Sequence, residues 1–391
     1  MLIVFGAALA GPFLLERSVD STLPIGGTFA RTYGSERDGY VLFFAAGGDL
    51  NVVRMSSDLG AEDLDRVRLT GRTDLQDHSI RRCPDGSWLH AASASVTTPN
   101  DTAHIFTYAG DFSLRSANPL DVENGSIEHN DMAMVCGDRS VVGFTEYGGI
   151  QWLFELDHDG FEQSRAPYDT ITQMMGAGMA FDGKELVAFG LPAGHEMQFS
   201  RWNADLEEIS ATPVPTMTHG TEHPYWPQGV ERIGDYWIVV AMARDESDGF
   251  SADNGNVRVS VVSDALEVVE ELTLTTYVPP NGGMRPWLLR DGSRLVITWD
   301  VANALHVTTV EIDPAALGEG SADTGEPDDS GEPDDSGTGV WSGDPEGSGD
   351  DGPSGPPCGC ASGRGAISLG ALSLVAAAFA PARRRRARVH P

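Results

Sequence analysis

The sequence predicts an all-β fold: a six-bladed β-propeller closed by an N-terminal strand, followed by a disordered acidic linker and a short C-terminal transmembrane helix. Three observations lead there. No long segment shows helical periodicity; short β-branched and aromatic runs alternate with turn clusters instead. An Asp-containing turn entering an apolar run recurs six times, with neighbouring turns 44 to 56 residues apart. A second turn series falls between the first, so each unit offers four short strands in ~45–50 residues, the pattern of propeller blades.

The first series reads "ERDGYVLFFA" at Asp38, "CPDGSWLHAA" at Asp85, "CGDRSVVGFT" at Asp138, "AFDGKELVAFG" at Asp182, "RIGDYWIVVA" at Asp235 and "LRDGSRLVITWD" at Asp291. The second carries Asp58, Asp111, Asp159, Asp205 and Asp264, each after a strand-like run such as "LNVVR" or "IQWLFEL". Six first turns against five second turns leave the last unit one strand short. The N-terminal "STLPI" precedes blade 1 and supplies the missing outer strand, which clasps the chain ends and removes an exposed edge. The turn aspartates are structural, since their side chains satisfy local backbone donors. Cys83 and Cys136 both lie just before the first turn, in blades 2 and 3. Two readings stand for them, a disulfide between neighbouring inner strands or two separately buried thiols.

The propeller is assigned to residues 18–316 and the linker to 317–357. The linker contains the tandem "GEPDDSGEPDDSG" and no basic residue. Such a composition buries too little apolar surface to offset chain entropy, and self-repulsion extends it into a stalk. Residues 1–17 read as an atypical export signal: an apolar run with an A-x-A site ending at Ala10 but no Lys or Arg ahead of it.

Residues 358–391 hold three features in order: Cys358-Gly359-Cys360, the apolar run "AISLGALSLVAAAFAPA", and Arg383 to Arg386. Roughly 15–17 apolar residues give about 22–25 Å of helix, a short span. Basic residues on one flank place the extreme tail in the cytoplasm and the rest outside. This order resembles the MYXO-CTERM sorting signal of myxobacteria and their relatives. The resemblance implies a sorting protease as partner, processing near Cys358 and Cys360, and anchoring at the outer surface of a Gram-negative cell.

A formal net charge of −32 over 391 residues argues against nucleic-acid partners. Ligands of propellers gather where inner strands begin. Those positions place Arg31, Asp77, His78, Glu128, His129, Asn130, Asp131, Gln173, Glu222, His223 and Arg285 around one mouth, with Tyr225 and Trp226 beside it. Arg31, His78, His129, Gln173, His223, Trp226 and Arg285 are the binding candidates. If the protein is an enzyme, Asp77, Asp131 and Glu222 are the catalytic candidates, because paired carboxylates of unequal pKa cleave glycosides. No cofactor is predicted. His/Asp/Glu shells of this kind suit Zn, Mn or Ni better than Ca. The long acidic loop "RDESDGFSADNGN" offers Asp245, Asp248 and Asp253 to a cation, but without the EF-hand spacing. The S-x-D-x-G-x-T-W box of sialidases, G-x-S-x-G and H-E-x-x-H are absent. The expected function is a surface-displayed, non-catalytic module binding a glycan, peptide or surface protein. The alternative is an extracellular glycoside hydrolase or lyase acting on polysaccharide.

Overall fold

The structure, a computed structural model, describes residues 13–17, 21–35, 39–61, 66–94, 103–120, 133–145, 151–168, 172–182, 185–192, 197–214, 222–245 and 255–318. The chain divides into a unit spanning Met1–Glu326 and a second spanning Pro327–Pro391. The acidic linker from residue 319 onward, the tail helix, Cys358 and Cys360 all lie outside the described residues, as do residues 1–12 of the export segment. No helix among the described residues is long and apolar enough to cross a membrane.

Two N-terminal strands, β1 (Leu14–Arg17) and β2 (Ser21–Gly26), precede six sheets. Blade 1 is β3 (Thr28–Gly34), β4 (Tyr40–Ala46), β5 (Asp49–Met55) and β6 (Val67–Arg68). Blade 2 is β7 (Leu75–Arg82), β8 (Trp88–Ala94), β9 (Ala103–Tyr108) and β10 (Leu114–Leu120). Blade 3 is β11 (Ala133–Cys136), β12 (Ser140–Thr145), β13 (Gln151–Leu156) and β14 (Glu162–Tyr168). Blade 4 is β15 (Thr172–Asp182), β16 (Glu185–Pro192), β17 (Gln198–Trp202) and β18 (Glu208–Pro213). Blade 5 is β19 (Glu222–Ile233), β20 (Tyr236–Asp245), β21 (Asn256–Ser263) and β22 (Val268–Thr273). Blade 6 is β23 (Met284–Asp291), β24 (Arg294–Val301) and β25 (Ala304–Ile312). All neighbours within a sheet run antiparallel. The inner strands β3, β7, β11, β15, β19 and β23 touch in a closed circle, as a six-bladed propeller requires.

Each sheet is covered on both faces by its neighbours, so its middle strands are apolar without alternation. Strand β4 reads "YVLFFAA" and is buried from Tyr40 to Ala45, whereas outer strand β18 has no buried residue. The core is therefore six seams rather than one mass. Phe43 and Trp88 meet between blades 1 and 2, Leu89 and Phe154 between 2 and 3, and Leu153 and Trp202 between 3 and 4. Phe189 and Trp237 join blades 4 and 5, Val259 and Trp299 blades 5 and 6, and Phe44 and Val296 blades 6 and 1.

The N-terminal closure is present and wider than the sequence suggested. Strand β2, containing "STLPI", pairs with the first half of β25, Ser21 opposite Val307. Strand β1 pairs with the second half, Leu14 opposite Ile312. Leu14 is 2% exposed in the seam of blades 5 and 6. The backbone N–H groups of Phe13 and Leu14 donate to the Glu270 carboxylate of β22 at 2.9 and 3.1 Å. At the other end Leu317 is fully buried and its carbonyl accepts the Asp235 N–H at 3.1 Å. The propeller thus reaches from Phe13 to Gly318, beyond the 18–316 assigned from sequence and into the 1–17 export segment.

The second turns share one geometry, with the fourth residue left-handed: Leu59 (φ 68°), Phe112 (70°), Gly160 (79°), Leu206 (59°) and Leu266 (60°). A non-glycine residue there carries strain of about 1 kcal/mol. Folding Leu206 to 2% exposure against its seam returns roughly 2 kcal/mol. Glycine serves in blade 3 because blade 2 occupies the space: a Cβ on Gly160 would meet Ile105 at 2.8 Å. Asp111 caps its own turn as expected, accepting the Ser113 N–H at 3.0 Å, and Asp85 does the same for Ser87 at 2.9 Å. Asp159, Asp205 and Asp264 do not. The caps in those hairpins are Asp157, Asn203 and Ser263, at the first turn position, where a side-chain oxygen reaches the N–H groups that follow.

The clasp sets an expected outcome for truncation. A chain starting at Gly11 should match the parent in urea unfolding, whereas one starting at Ser18 should lose roughly 3 kcal/mol. That loss combines the Leu14 side chain with two charge-assisted hydrogen bonds.

Candidate functional site

The inner strands break register near their starts. In β3 the break lies between Thr28 and Arg31, in β7 between Leu75 and His78, and in β15 between Gln173 and Gly178. In β19 it lies between Tyr225 and Gly229, and in β23 between Met284 and Trp287. Bulges re-aim side chains at barrel rims and ligand sites. Arg31, Asp77, His78, Gln173, Tyr225, Trp226 and Arg285 all sit in or directly beside a break. Glu222 and His223 begin β19, opposite Asp245 and Arg244 of β20. Glu128, His129, Asn130, Asp131, Asp248 and Asp253 lie outside the described residues, as do the side chains of Asp77, Gln173, Glu222, His223, Trp226 and Asp245.

On blades 6, 1 and 2 the side chains are defined. Phe29 and Arg285 occupy the bulges of adjacent inner strands, and both are left-handed, at φ 57° and 51°. One buried carboxylate holds the pair. Asp300 Oδ1 accepts the Phe29 N–H at 3.2 Å and Oδ2 accepts Arg285 Nη1 at 3.2 Å. The Arg285 guanidinium lies over the Phe29 ring, 4.2 Å from its centroid, and the edge of that ring faces His78 at 6.2 Å. Arg31 is 2% exposed and donates to the Ala30 carbonyl at 3.0 Å. Two residues beyond the bulge of β23, Trp287 crosses into the seam of blades 1 and 2 and donates its indole N–H to the Thr32 carbonyl at 3.1 Å. The guanidiniums of Arg81 and Arg31 lie 4.0 and 5.0 Å from its ring.

Sequence reading missed Asp300 and the chain behind His78. Asp300 is the penultimate residue of β24 in "ITWDV", and its signal was a lone acid within an apolar run. His78 Nδ1 lies 3.0 Å from His90 Nε2, and His90 Nδ1 lies 3.2 Å from the Tyr108 hydroxyl. The Tyr108 O–H has no other acceptor among the described residues. Donating to His90 Nδ1, it makes His90 Nε2 the donor to His78 Nδ1. His78 then carries its proton on Nε2, which is buried and without a partner in the structure. The opposite direction would strand the tyrosine proton as well. Among the described residues no three His, Cys, Asp or Glu side chains gather to hold a metal ion.

Cys83 and Cys136 form a disulfide, with Cα atoms 4.9 Å apart, joining the ends of β7 and β11. It lines a cleft of about 380 Å³ between blades 2 and 3, on the turn face opposite the bulges.

The described chain is a six-bladed β-propeller. No protein-family model matches the sequence, and no curated protein does. Among solved structures it is similar to a subtype N10 neuraminidase-like protein of A/little yellow-shouldered bat/Guatemala, with a TM-score of 0.51 and 11% identity over 77% of this chain and 99% of that one. It is also similar to a putative TolB from Agrobacterium tumefaciens, at 0.45 and 16% over 78% of this chain and all of that one. Likeness at such identities shows the fold alone.

The buried polar groups fix how stability responds to acid. Burial lowers His78 from 6.5 to about 3 and His90 well below its ordinary value, the neighbouring His78 adding to the latter. The folded state then binds fewer protons than the unfolded chain, so stability is full above pH ~6.5 and falls as the pH drops. Asp300 is shifted oppositely, from 3.8 up to about 6, because burial outweighs Arg285, the Phe29 N–H and Arg31. Its contribution falls as pH rises between those values. At about 1.4 kcal/mol per pH unit for each group, the two histidines prevail. Unfolding free energy should therefore drop by roughly 2–3 kcal/mol from pH 7 to pH 5, and His90→Phe should flatten that slope in urea titrations. Asp300→Asn removes the carboxylate that receives Arg285 and should lower stability at pH 8 by about 2–3 kcal/mol.

Proposed function

We propose that the protein is a propeller displayed on the cell surface that binds an extracellular glycan, peptide or protein at the bulge end of its inner strands, without transforming it. The observation that supports this most directly is the shared register break. Five inner strands depart from ideal pairing near their starts, and the binding candidates Arg31, His78, Gln173, Trp226 and Arg285 fall at those breaks, with Arg31 and His78 buried behind the others as supports. A ring built only as a spacer gains nothing from left-handed residues at Phe29 and Arg285, and strain of this kind concentrates at functional positions. Surface display rests on the export run, the acidic stalk and the sorting-like tail. The clasp supports a leader ending at Ala10, since removal of a leader extending to Arg17 would take β1 with it.

The protein should retain ligand on an array of bacterial glycans and surface peptides, with Trp226→Ala lowering affinity at least tenfold, as loss of a buried aromatic contact does. Incubation with polysaccharides should leave their chain length unchanged. Depolymerisation abolished by Asp77→Asn or Glu222→Gln would replace this reading with a glycosidase.

A further inference from the structure

The disulfide between blades 2 and 3 is asymmetric. The Ser140 hydroxyl lies 3.1 Å from Cys136 Sγ, and because a disulfide sulfur has no proton, the hydroxyl is the donor. Cys83 takes part through its backbone, accepting from Gly86 N–H and donating to the Ser87 carbonyl. Both cysteines are half-buried and line the cleft already described. We infer that Cys83 is a site of thiolation, with Cys136 as the leaving group and cationic thiols as the favoured reagent.

The chemistry follows from thiol–disulfide exchange. An incoming thiolate attacks Cys83 Sγ, forming a new S–S bond while the Cys83–Cys136 bond breaks. Its electron pair leaves on Cys136, so the incoming sulfur is oxidised and the Cys136 sulfur is reduced. Negative charge builds on Cys136, the sulfur that already accepts the Ser140 O–H, and solvent then protonates it. Attack on Cys136 would expel charge onto Cys83, which has no side-chain donor beside it among the described residues. A better-stabilised leaving thiolate leaves faster.

Charge selects the reagent. The cleft wall presents the carboxylates of Asp85, Asp138 and Asp157. Asp85 and Asp157 are fixed by the turns they cap, and among the described residues the one ion pair in this group is Arg115 to Asp85 at 3.8 Å. A thiol bearing an ammonium group is drawn toward such a wall and a thiol bearing a sulfonate is repelled. A carboxylate about 7 Å from a unit charge at low salt changes its approach about two- to threefold.

The test uses the full chain, treated briefly with cysteamine, 2-mercaptoethanol or 2-mercaptoethanesulfonate at 10 mM ionic strength, then alkylated and mapped by mass spectrometry. Rates are normalised to thiolate concentration and to the urea-unfolded chain. The expected result is an adduct on Cys83 and alkylation of Cys136. Cysteamine should react more than about tenfold faster than the sulfonate, a ratio that narrows at 0.5 M salt and about four- to ninefold in Asp138→Asn. Ser140→Ala should erase the preference for Cys83. Adducts on Cys136, or an even split in the parent chain, would overturn the site; equal normalised rates for the three thiols would overturn the charge selection.

Discussion

Every blade is buried on both faces, and the rest of the structure follows from that constraint. A sheet whose second strand reads "YVLFFAA" or "WIVVAMA" has no face it can leave in water. No blade is stable without a neighbour on each side, and only a closed circle gives every blade two. Closure falls to blade 6, which the chain completes from its own beginning by laying β1 and β2 along β25. The two ends of the fold are then held by the blade they adjoin: Glu270 of β22 receives Phe13 and Leu14, and Asp235 of the β19–β20 turn binds the Leu317 carbonyl. An N-terminal segment that looks expendable by position is thereby core by energetics.

The two ends of the ring solve their polar problems differently. On the turn face, the same hairpin recurs, and a side-chain oxygen at its first position (Asp157, Asn203, Ser263) or its third (Asp58, Asp111) satisfies N–H groups after it. Blade 3 even lends the Asp159 carbonyl to Ser116 and Asn118 of blade 2. On the bulge face the pairing is interrupted, and isolated buried groups take over. Asp300 is the clearest case, since one carboxylate holds two left-handed residues from different blades. Its burial keeps it hard to ionise while its ionised form is what Arg285 requires. The His78–His90–Tyr108 chain is similar, being stable because it stays neutral. Apolar seams are insensitive to pH, so proton sensitivity is divided between these buried groups and the turn-face carboxylates Asp58, Asp85, Asp111 and Asp291, which their hydrogen bonds hold below the ordinary range.

Much of this was legible in the sequence because turns are punctuated by chemistry that cannot be disguised. Asp-Gly pairs ahead of apolar runs marked the blades, and counting them exposed the missing strand. The strand β1 was hidden because "LLER" reads as the tail of an export signal; only its partner β25 distinguishes the two. The capping residues were misassigned in three hairpins because Asp159, Asp205 and Asp264 match the spacing while Asp157, Asn203 and Ser263 hold the right backbone position. The bulges gave no local signal, since a register break depends on two strands at once. His78 was singled out, but its partner His90 sits in an ordinary second strand and is visible only through pairing, His78 opposite Ala92 and Ile80 opposite His90.

The distribution of arginine ties these levels together. In a chain of net charge −32, positive groups are scarce and their placement is informative. On the blades, Arg139, Arg165, Arg201, Arg232, Arg258 and Arg294 each meet a carboxylate. Such partly exposed pairs add little stability, but they cancel charge where it would otherwise be uniformly negative. At the bulge end Arg31, Arg81 and Arg285 lie against the rings of Trp287 and Phe29, much as Arg165, Arg232 and Arg294 lie over Trp152, Trp237 and Tyr40 on the blades, and Arg285 keeps Asp300 as its counter-charge as well. Stacking on an aromatic face lets a guanidinium be dehydrated without a full counter-charge, a role that lysine fills poorly. The consequence is a molecule whose overall charge is strongly acidic and whose bulge-end guanidiniums are held at short range by aromatic rings and by Asp300.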